Sequence, residues 1–362
     1  MQGSNVSHPG LPGRKKVVIV DDSRSLRAWL RSVLSSERRL DVVGEAGSAQ
    51  EARQVIKQTN PDVITLDIEM PGMNGIEFLS RLMRLRPMPV VMLSGVTQSN
   101  SEATITALSL GAVDCILKPG TLLSDKEHRD ISRRVYAAAC SHVQPAVPGP
   151  VATQHDPSAV EVASDAVILL GASTGGVTAL QTVLSGLDPK GPPVVVVQHM
   201  PGQFLVSFTQ QLNQNLPQDV ALAQPEQPLQ NGQVRIAPGL GQHTEITRRR
   251  QSWYCSFRDN TEDCPYCPSV DALFKSAAPQ AGKVVAAILT GLGRDGADAM
   301  LTLREGGAAT IGQDATTSVV YGMPKAAWNI GAVQQQCPLD QIPAAIMAAT
   351  RTLGSAENRR RM

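Results

Sequence analysis

Excess charge of either sign is missing from this chain. Its 362 residues carry 33 Lys and Arg against 32 Asp and Glu, a formal net charge of +1. Such a balance gives no bulk attraction to nucleic acid or to anionic lipid, so neither is expected as a partner. Long apolar runs are also missing. None approaches the roughly 18 residues that a membrane span requires, so direct membrane insertion is not expected. The opening stretch MQGSNVSHPGLPGRKK has no apolar signal core; residues 1–14 read as a flexible leader, and a cytoplasmic location is expected. Cysteine is sparse. Cys115, Cys140, Cys255, Cys264, Cys267 and Cys337 are too few to form a disulfide scaffold in a chain this long and read as reduced thiols. No fixed-period repeat and no persuasive helix-turn-helix pattern is present.

What the chain does contain is enough apolar material for large cores, 42% hydrophobic against 18% charged residues. The length favours two domains. The stretch VQPAVPGPVATQHDPSAVEVASD holds four prolines and shows no periodicity, which marks a linker over 141–165. A first domain is thus expected over 15–140 and a second over 166–355, with a basic tail, ending ENRRRM, over 356–362. Both domains alternate short apolar runs with amphipathic stretches of helix length. That alternation predicts parallel sheets covered by helices, an α/β class.

In the first domain the runs KKVVIV (15–20), DVVGEA (41–46), DVITLD (62–67), PVVMLS (89–94) and AVDCIL (112–117) predict five strands of a flavodoxin-like parallel sheet. Functional groups in such sheets gather at the carboxyl ends of the strands. Here those ends carry Asp21 and Asp22, Asp67, Ser94 and Lys118. Any one of these acids alone reads as a helix cap. Together, converging carboxylates repel one another unless a cation sits among them, and an oxygen-rich set suits Mg²⁺. Lysine and metal together would neutralise a phosphoryl group carried on a carboxylate.

The stretches VVIVDDSRSLR, TLDIEMPGMNG, VVMLSG and ILKPG resemble the receiver domain of response regulators over about 120 residues. The resemblance implies Asp67 as phosphoacceptor. It implies Mg²⁺ held by Asp22, Asp67 and the backbone carbonyl of Glu69, with Asp21 nearby. Ser94 would sense the phosphoryl group and Lys118 would pair with it. Receivers commonly place an aromatic residue three positions before that lysine; here the position holds Cys115, so an aromatic rotamer switch is not expected.

The second domain opens with the run AVILL (166–170) followed by GASTGG and a helical pattern. The spacing is not that of G-x-G-x-x-G, and a Walker lysine is missing. GASTG fits G-x-S-x-G, a turn that lifts Ser173 out of a sheet; a glycine-rich packing turn is the alternative. A serine nucleophile needs a base and an orienting acid. The run PVVVVQHMP (193–201) ends in His199, and VVAAILTG (284–291) leads to Asp295, where a helix cap is the alternative role. If the three strands are parallel, Ser173, His199 and Asp295 meet at one sheet edge. The chain order Ser, His, Asp differs from the Ser, acid, His of an α/β-hydrolase.

The segments GASTGG, QHMP, IAPG, PSVDALF and LTGLGRDGA resemble the catalytic domain of the chemotaxis protein-glutamate methylesterases. With the receiver, the resemblance covers nearly the whole chain after residue 14. It implies a doubly wound, mostly parallel catalytic domain. In it Ser173 is the nucleophile, His199 the general base and acid, and Asp295 the orienter, with backbone N–H groups of Thr174 and Leu292 in an oxyanion hole. It implies chemoreceptors as substrate, their methyl esters cleaved to methanol and glutamines deamidated, with no cofactor for the ester chemistry. A chemotaxis-type histidine kinase would be the phosphodonor. Phosphorylation of Asp67 would release a receiver that blocks receptor access, and a monomer is expected. A response regulator with a non-catalytic binding output and a receptor scaffold are the competing readings.

Two positions depart from the family pattern. Leu292 stands where methionine is usual, and Cys267 where an arginine usually precedes PSVD. Cys264 and Cys267 form C-x-x-C, which could hold zinc if Cys255 and His243 joined them; an incidental loop pair is the plainer expectation. TRRRQSWYCSF (247–257) mixes arginines with aromatics and predicts an exposed β-hairpin rather than a nucleic-acid surface.

Overall fold

The structure, a computed structural model, describes residues 13–95, 97–119, 124–141, 165–260, 264 and 266–361, without the side chains of 98 and 354–361. The expected leader and linker lie almost wholly outside the described residues. The chain divides into two compact units, each built around one large sheet. No helix among the described residues is long and apolar enough to cross a membrane.

The chain begins β1 (Lys15–Val20), α1 (Arg24–Ser35), β2 (Leu40–Ala46), α2 (Ala49–Thr59), β3 (Val63–Asp67), α3 (Gly75–Leu85), β4 (Val90–Ser94), α4 (Gln98–Ser109), β5 (Asp114–Leu117) and α5 (Asp125–Ala139). All five predicted strands form, within two residues at each end. They pair in the order β2-β1-β3-β4-β5, the flavodoxin-like arrangement. β3 and β4 are buried along their whole length, which is why they read as largely apolar runs. Helix starts are set by local chemistry. The side chains of Ser23, Ser48, Asn74 and Ser124 each accept a first-turn N–H of the helix that follows, and Ser124 with Glu127 closes a capping box.

The second unit contains β6 (Val167–Ala172), α6 (Gly176–Ser185), β7 (Val194–Gln198), α7 (Gly202–Asn215), β8 (Asp219–Leu222), β9 (Gln233–Ile236), β10 (Gln242–Arg249), β11 (Ser252–Asp259), α8 (Val270–Ala277), β12 (Val284–Ile288), α9 (Ala297–Glu305), β13 (Ala309–Gln313), α10 (Met323–Asn329), β14 (Gln335–Cys337) and α11 (Ile342–Arg361). Seven strands pair in the order β14-β13-β12-β6-β7-β9-β8, and every neighbouring pair is parallel. The sheet grows outward from β6 in both directions, so the chain reverses its order of strand addition there. At such a switch point a crevice opens beyond the carboxyl ends of the strands. Ser173 follows β6, His199 follows β7, and Asp295 follows β12. α11 runs through Arg361, into the segment read as a tail.

The predicted hairpin is β10–β11, antiparallel, with Arg250 in the left-handed region at its turn. One face carries Ile246, Trp253 and Cys255 into the core. Three of its arginines are engaged: Arg248 pairs with Asp165, Arg249 with Glu226 and Arg258 with Glu245.

Candidate active site

The nucleophile turn is built from β6 outward. Ser173 N–H continues the sheet ladder to Thr290 O at 3.0 Å, and Gly176 N–H returns to Ser173 O at 2.7 Å. Gly175 caps α6 at φ +78°, a conformation that favours glycine, so the chain turns at once from strand to helix. A Cβ on Gly291 would sit 2.7 Å from Ser173 Cβ, so only a glycine lets the loop after β12 pass this close. The Ser173 hydroxyl makes no hydrogen bond to a described residue.

His199 lies beside it. The β6–β7 register pairs Ala172 with Gln198, and His199 N–H donates to Ala172 O at 3.0 Å, so Ser173 and His199 occupy the same level of adjacent strands. Adjacent strands run about 4.8 Å apart. The Gln198 amide clamps the two chains together, its Nε2 donating to Ser173 O at 2.8 Å and to His199 O at 3.2 Å. The imidazole engages Asp295 through Nε2, 2.7 Å from Oδ2, and its Nδ1 is buried without a partner among the described residues.

Asp295 is not a cap of its own helix, as one reading of the sequence had it; Gly296 is the N-cap of α9. Its carboxylate instead accepts from the start of the neighbouring α8. Val270 N–H donates to Oδ2 at 2.7 Å, Asp271 N–H to Oδ1 at 3.1 Å, and Ser269 Oγ–H to Oδ1 at 2.9 Å. A helix N-terminus favours an anion. Burial alone pushes the Asp295 carboxyl up. The bond and charge of His199, with the N–H groups of Val270 and Asp271, outweigh that and hold it below the usual carboxylate range. The acid is therefore ionised and able to fix the Nε2–H tautomer, which leaves Nδ1 as the basic nitrogen.

Leu292 and Thr174 flank the same turn. No acceptor among the described residues takes the Leu292 N–H. Thr174 O accepts from Thr290 Oγ1 at 3.0 Å, and Thr290 Oγ1 in turn accepts from Val320 N–H at 2.9 Å, which ties the loop after β13 to the nucleophile turn. Gln198, Thr290, Ser269 and Asp271 were not singled out in the sequence, although all four stand in segments that carried the resemblance.

Asp271 is the second acid here. Burial, then the charge of Asp295, push its carboxyl up to about 6 against the opposing N–H of Ala299. A pKa raised by folding means the fold favours the protonated form. The stability gained is complete below the ordinary carboxylate pKa and is lost as pH rises through about 6. Asp271→Asn removes that titration. The unfolding free energy of wild type minus that of the variant is expected to fall by on the order of 1–2 kcal/mol between pH 4 and pH 7.5, after allowance for solvent screening. Urea denaturation at a series of pH values checks this; a constant or rising difference would contradict it.

The zinc alternative finds no support. Cys255 is a core residue of the hairpin with its thiol pushed by burial to about 12, and His243 Nε2 pairs with Asn260 Oδ1 at 2.9 Å. Among the described residues, the one group of three or more potential metal ligands is Asp21, Asp22 and Asp67, whose ligand atoms lie within 4.8 Å of one another.

That group sits at the carboxyl ends of β1 and β3. Lys118 Nζ lies 2.7 Å from Asp67 Oδ1 and 3.1 Å from Asp21 Oδ2. Burial pushes the Asp67 carboxyl up, Lys118 pulls it down and Asp21 pushes it up again, with a net position of about 6. Asp67 Oδ2 is buried without a hydrogen-bond partner among the described residues. One lysine thus faces several carboxylate oxygens, a donor set that fits a hard divalent cation. Ser94 is buried at the end of β4, and its hydroxyl donates to Gly95 O at 3.2 Å. Glu69 N–H donates to Asp67 Oδ1 at 3.2 Å. Cys115 is buried in β5, where its carbonyl accepts from Arg134.

Residues 17–124 match the response regulator receiver domain, and 168–346 match the CheB methylesterase domain. Three relatives carry the name protein-glutamate methylesterase/protein-glutamine glutaminase. Those of Agrobacterium fabrum and Rhizobium etli are each 44% identical over 92% of this chain and 96% of their own. That of Caulobacter vibrioides is 43% identical over 92% of this chain and 97% of its own. The match to these relatives runs along nearly their whole length, and the chain belongs to the protein-glutamate methylesterase/protein-glutamine glutaminase family.

Proposed function

We propose that this protein hydrolyses glutamate γ-methyl esters on chemoreceptors, releasing methanol, under control of phosphorylation at Asp67, and that it deamidates receptor glutamines at the same site. The observation that carries the reading is the His199–Asp295 hydrogen bond at the strand end next to Ser173.

The reaction follows from the groups present. Rotation of the Ser173 side chain brings its hydroxyl to His199 Nδ1, which takes the proton as Oγ attacks the γ-carbonyl. Negative charge moves to the carbonyl oxygen, where the N–H groups of Thr174 and Leu292 receive it. Each such donor is typically worth about 3–4 kcal/mol. Leu292 serves as well as methionine here because the donor is backbone. His199 then returns its proton to the departing methoxide, and methanol leaves. In the second half His199 draws a proton from water, which attacks the acyl-enzyme; Ser173 recovers its proton and the γ-carboxylate is released. A glutamine follows the same path with ammonia as the leaving group. Asp295 stays ionised and steadies the imidazolium at each tetrahedral state. No cofactor enters the ester chemistry.

In the receiver, Asp67 is the phosphoacceptor, held toward Lys118. Asp21, Asp22, Asp67 and the carbonyl of Glu69 would hold Mg²⁺, which supplies positive charge beside a phosphorylated carboxylate. Lys118 retains the modified side chain, and Ser94 reports its presence. A histidine kinase of the chemotaxis type is the expected donor.

The test is methanol release from receptor membranes carrying labelled methyl esters. Receptor binding without release would favour a scaffold role instead. In the same assay, Asp67→Asn should keep basal release within about twofold and lose its response to a small-molecule phosphodonor. Wild type should be stimulated about 5- to 150-fold, the usual span of allosteric coupling. Equal stimulation of both proteins would rule out Asp67 as the regulatory site.

A further inference from the structure

We propose that Tyr266 is a positioning residue for the general base, holding the His199 ring in its working plane. The inference rests on the esterase reading and adds to it a group outside the Ser–His–Asp set. The phenol ring of Tyr266 lies flat on the imidazole, with centroids 4.5 Å apart and planes 2° from parallel. The hydrogen bond to Asp295 is the one ring contact of His199 made through nitrogen among the described residues. The ring plane is set by rotation about the Cβ–Cγ bond, a broad torsion, and a single hydrogen bond at Nε2 restrains it weakly. Such rotation carries Nδ1, the nitrogen that must meet Ser173, out of the plane in which it faces the hydroxyl. A parallel aromatic surface removes that freedom. Its negative face also favours the imidazolium that forms at each tetrahedral state.

The turn that presents Tyr266 is itself held. The Cys264 thiol donates to Tyr266 O at 3.3 Å, and the Cys267 thiol donates to Gln242 O at 3.4 Å. This gives the C-x-x-C pair a role with no metal and no disulfide: the two thiols anchor the backbone on either side of the tyrosine. On its outer edge Tyr266 reaches the loop after β12, where a Cβ on Gly293 would lie 2.9 Å from the phenol oxygen. The same side chain thus touches the base and the loop that carries the Leu292 N–H.

Tyr266→Phe and Tyr266→Leu in the full chain separate the ring face from the hydroxyl and from simple bulk. Tyr266→Phe keeps the stack and should retain kcat within about threefold, whereas Tyr266→Leu should lose about tenfold in kcat, the worth of one aromatic stack, with KM little changed. A second measurement does not depend on turnover. In histidine-labelled protein, the His199 ring protons should be displaced upfield by the stacked ring in wild type and Tyr266→Phe, and this displacement should vanish in Tyr266→Leu. Wild-type kcat in Tyr266→Leu, an equal loss in Tyr266→Phe, or no displacement in wild type would each overturn the inference. If wild type and Ser173→Ala release methanol alike, the esterase reading itself fails, and the proton shifts still report on the stack.

Discussion

Ser173→Ala should lower methanol release by about 10⁴- to 10⁶-fold while leaving the fold intact. The size follows from the covalent route, whose first step needs the Ser173 oxygen as nucleophile. The unchanged fold follows from the hydrogen bonds. The Ser173 hydroxyl has no partner to lose among the described residues, and the bonds that fix the turn belong to its backbone: N–H to Thr290 O, and carbonyl from Gln198 Nε2 and Gly176 N–H. Stability should therefore move by no more than about 0.5 kcal/mol. Binding to receptor membranes and phosphorylation at Asp67 should persist. Labelled-methanol release, thermal unfolding and receptor co-sedimentation measured together check all three. Release within tenfold of wild type would show that Ser173 is not the nucleophile.

The strand ends were legible in the sequence because parallel strands are buried on both faces and read as apolar runs with abrupt polar ends. Ser173, His199 and Asp295 each stand just past such a run; in the first unit Asp67 and Ser94 end theirs, and Asp21, Asp22 and Lys118 follow theirs. The outer strands were not legible. β8, β9 and β14 have three or four residues, and β8 and β14 mix exposed positions with buried ones at the sheet edges. The surroundings of Asp295 were hidden for a different reason. Ser269, Val270 and Asp271 are 24 to 26 positions away along the chain and meet it because the start of α8 faces the loop after β12. No local pattern encodes that meeting, nor the stack of Tyr266 on His199. The choice of ring nitrogen was also beyond sequence, since it depends on which edge of the imidazole meets the carboxylate.

Asp295→Asn should lower kcat by about 10⁴-fold, the cost of presenting the wrong histidine tautomer, and should destabilise the catalytic unit as well. Both carboxylate oxygens are used as acceptors by N–H groups. Oδ2 receives His199 Nε2 and Val270 N–H, and Oδ1 receives Ser269 Oγ–H and Asp271 N–H. An asparagine has one oxygen, so its amide NH₂ must confront a backbone N–H whichever way it turns. If the NH₂ takes the Oδ2 place, it also donates to Nε2, and the ring proton moves to Nδ1, where Ser173 needs a base. If it takes the Oδ1 place, the tautomer survives but Asp271 N–H loses its acceptor. A buried donor left unsatisfied costs about 1–3 kcal/mol. Loss of the Asp295 charge also removes one cause of the raised Asp271 pKa, so that carboxyl should ionise at lower pH in the variant. Two measurements separate the effects: the kcat of folded protein well below its unfolding temperature, and the unfolding free energy. A variant with near-normal kcat and reduced stability would leave Asp295 a support of α8 alone, and the roles assigned to His199 would need another acid.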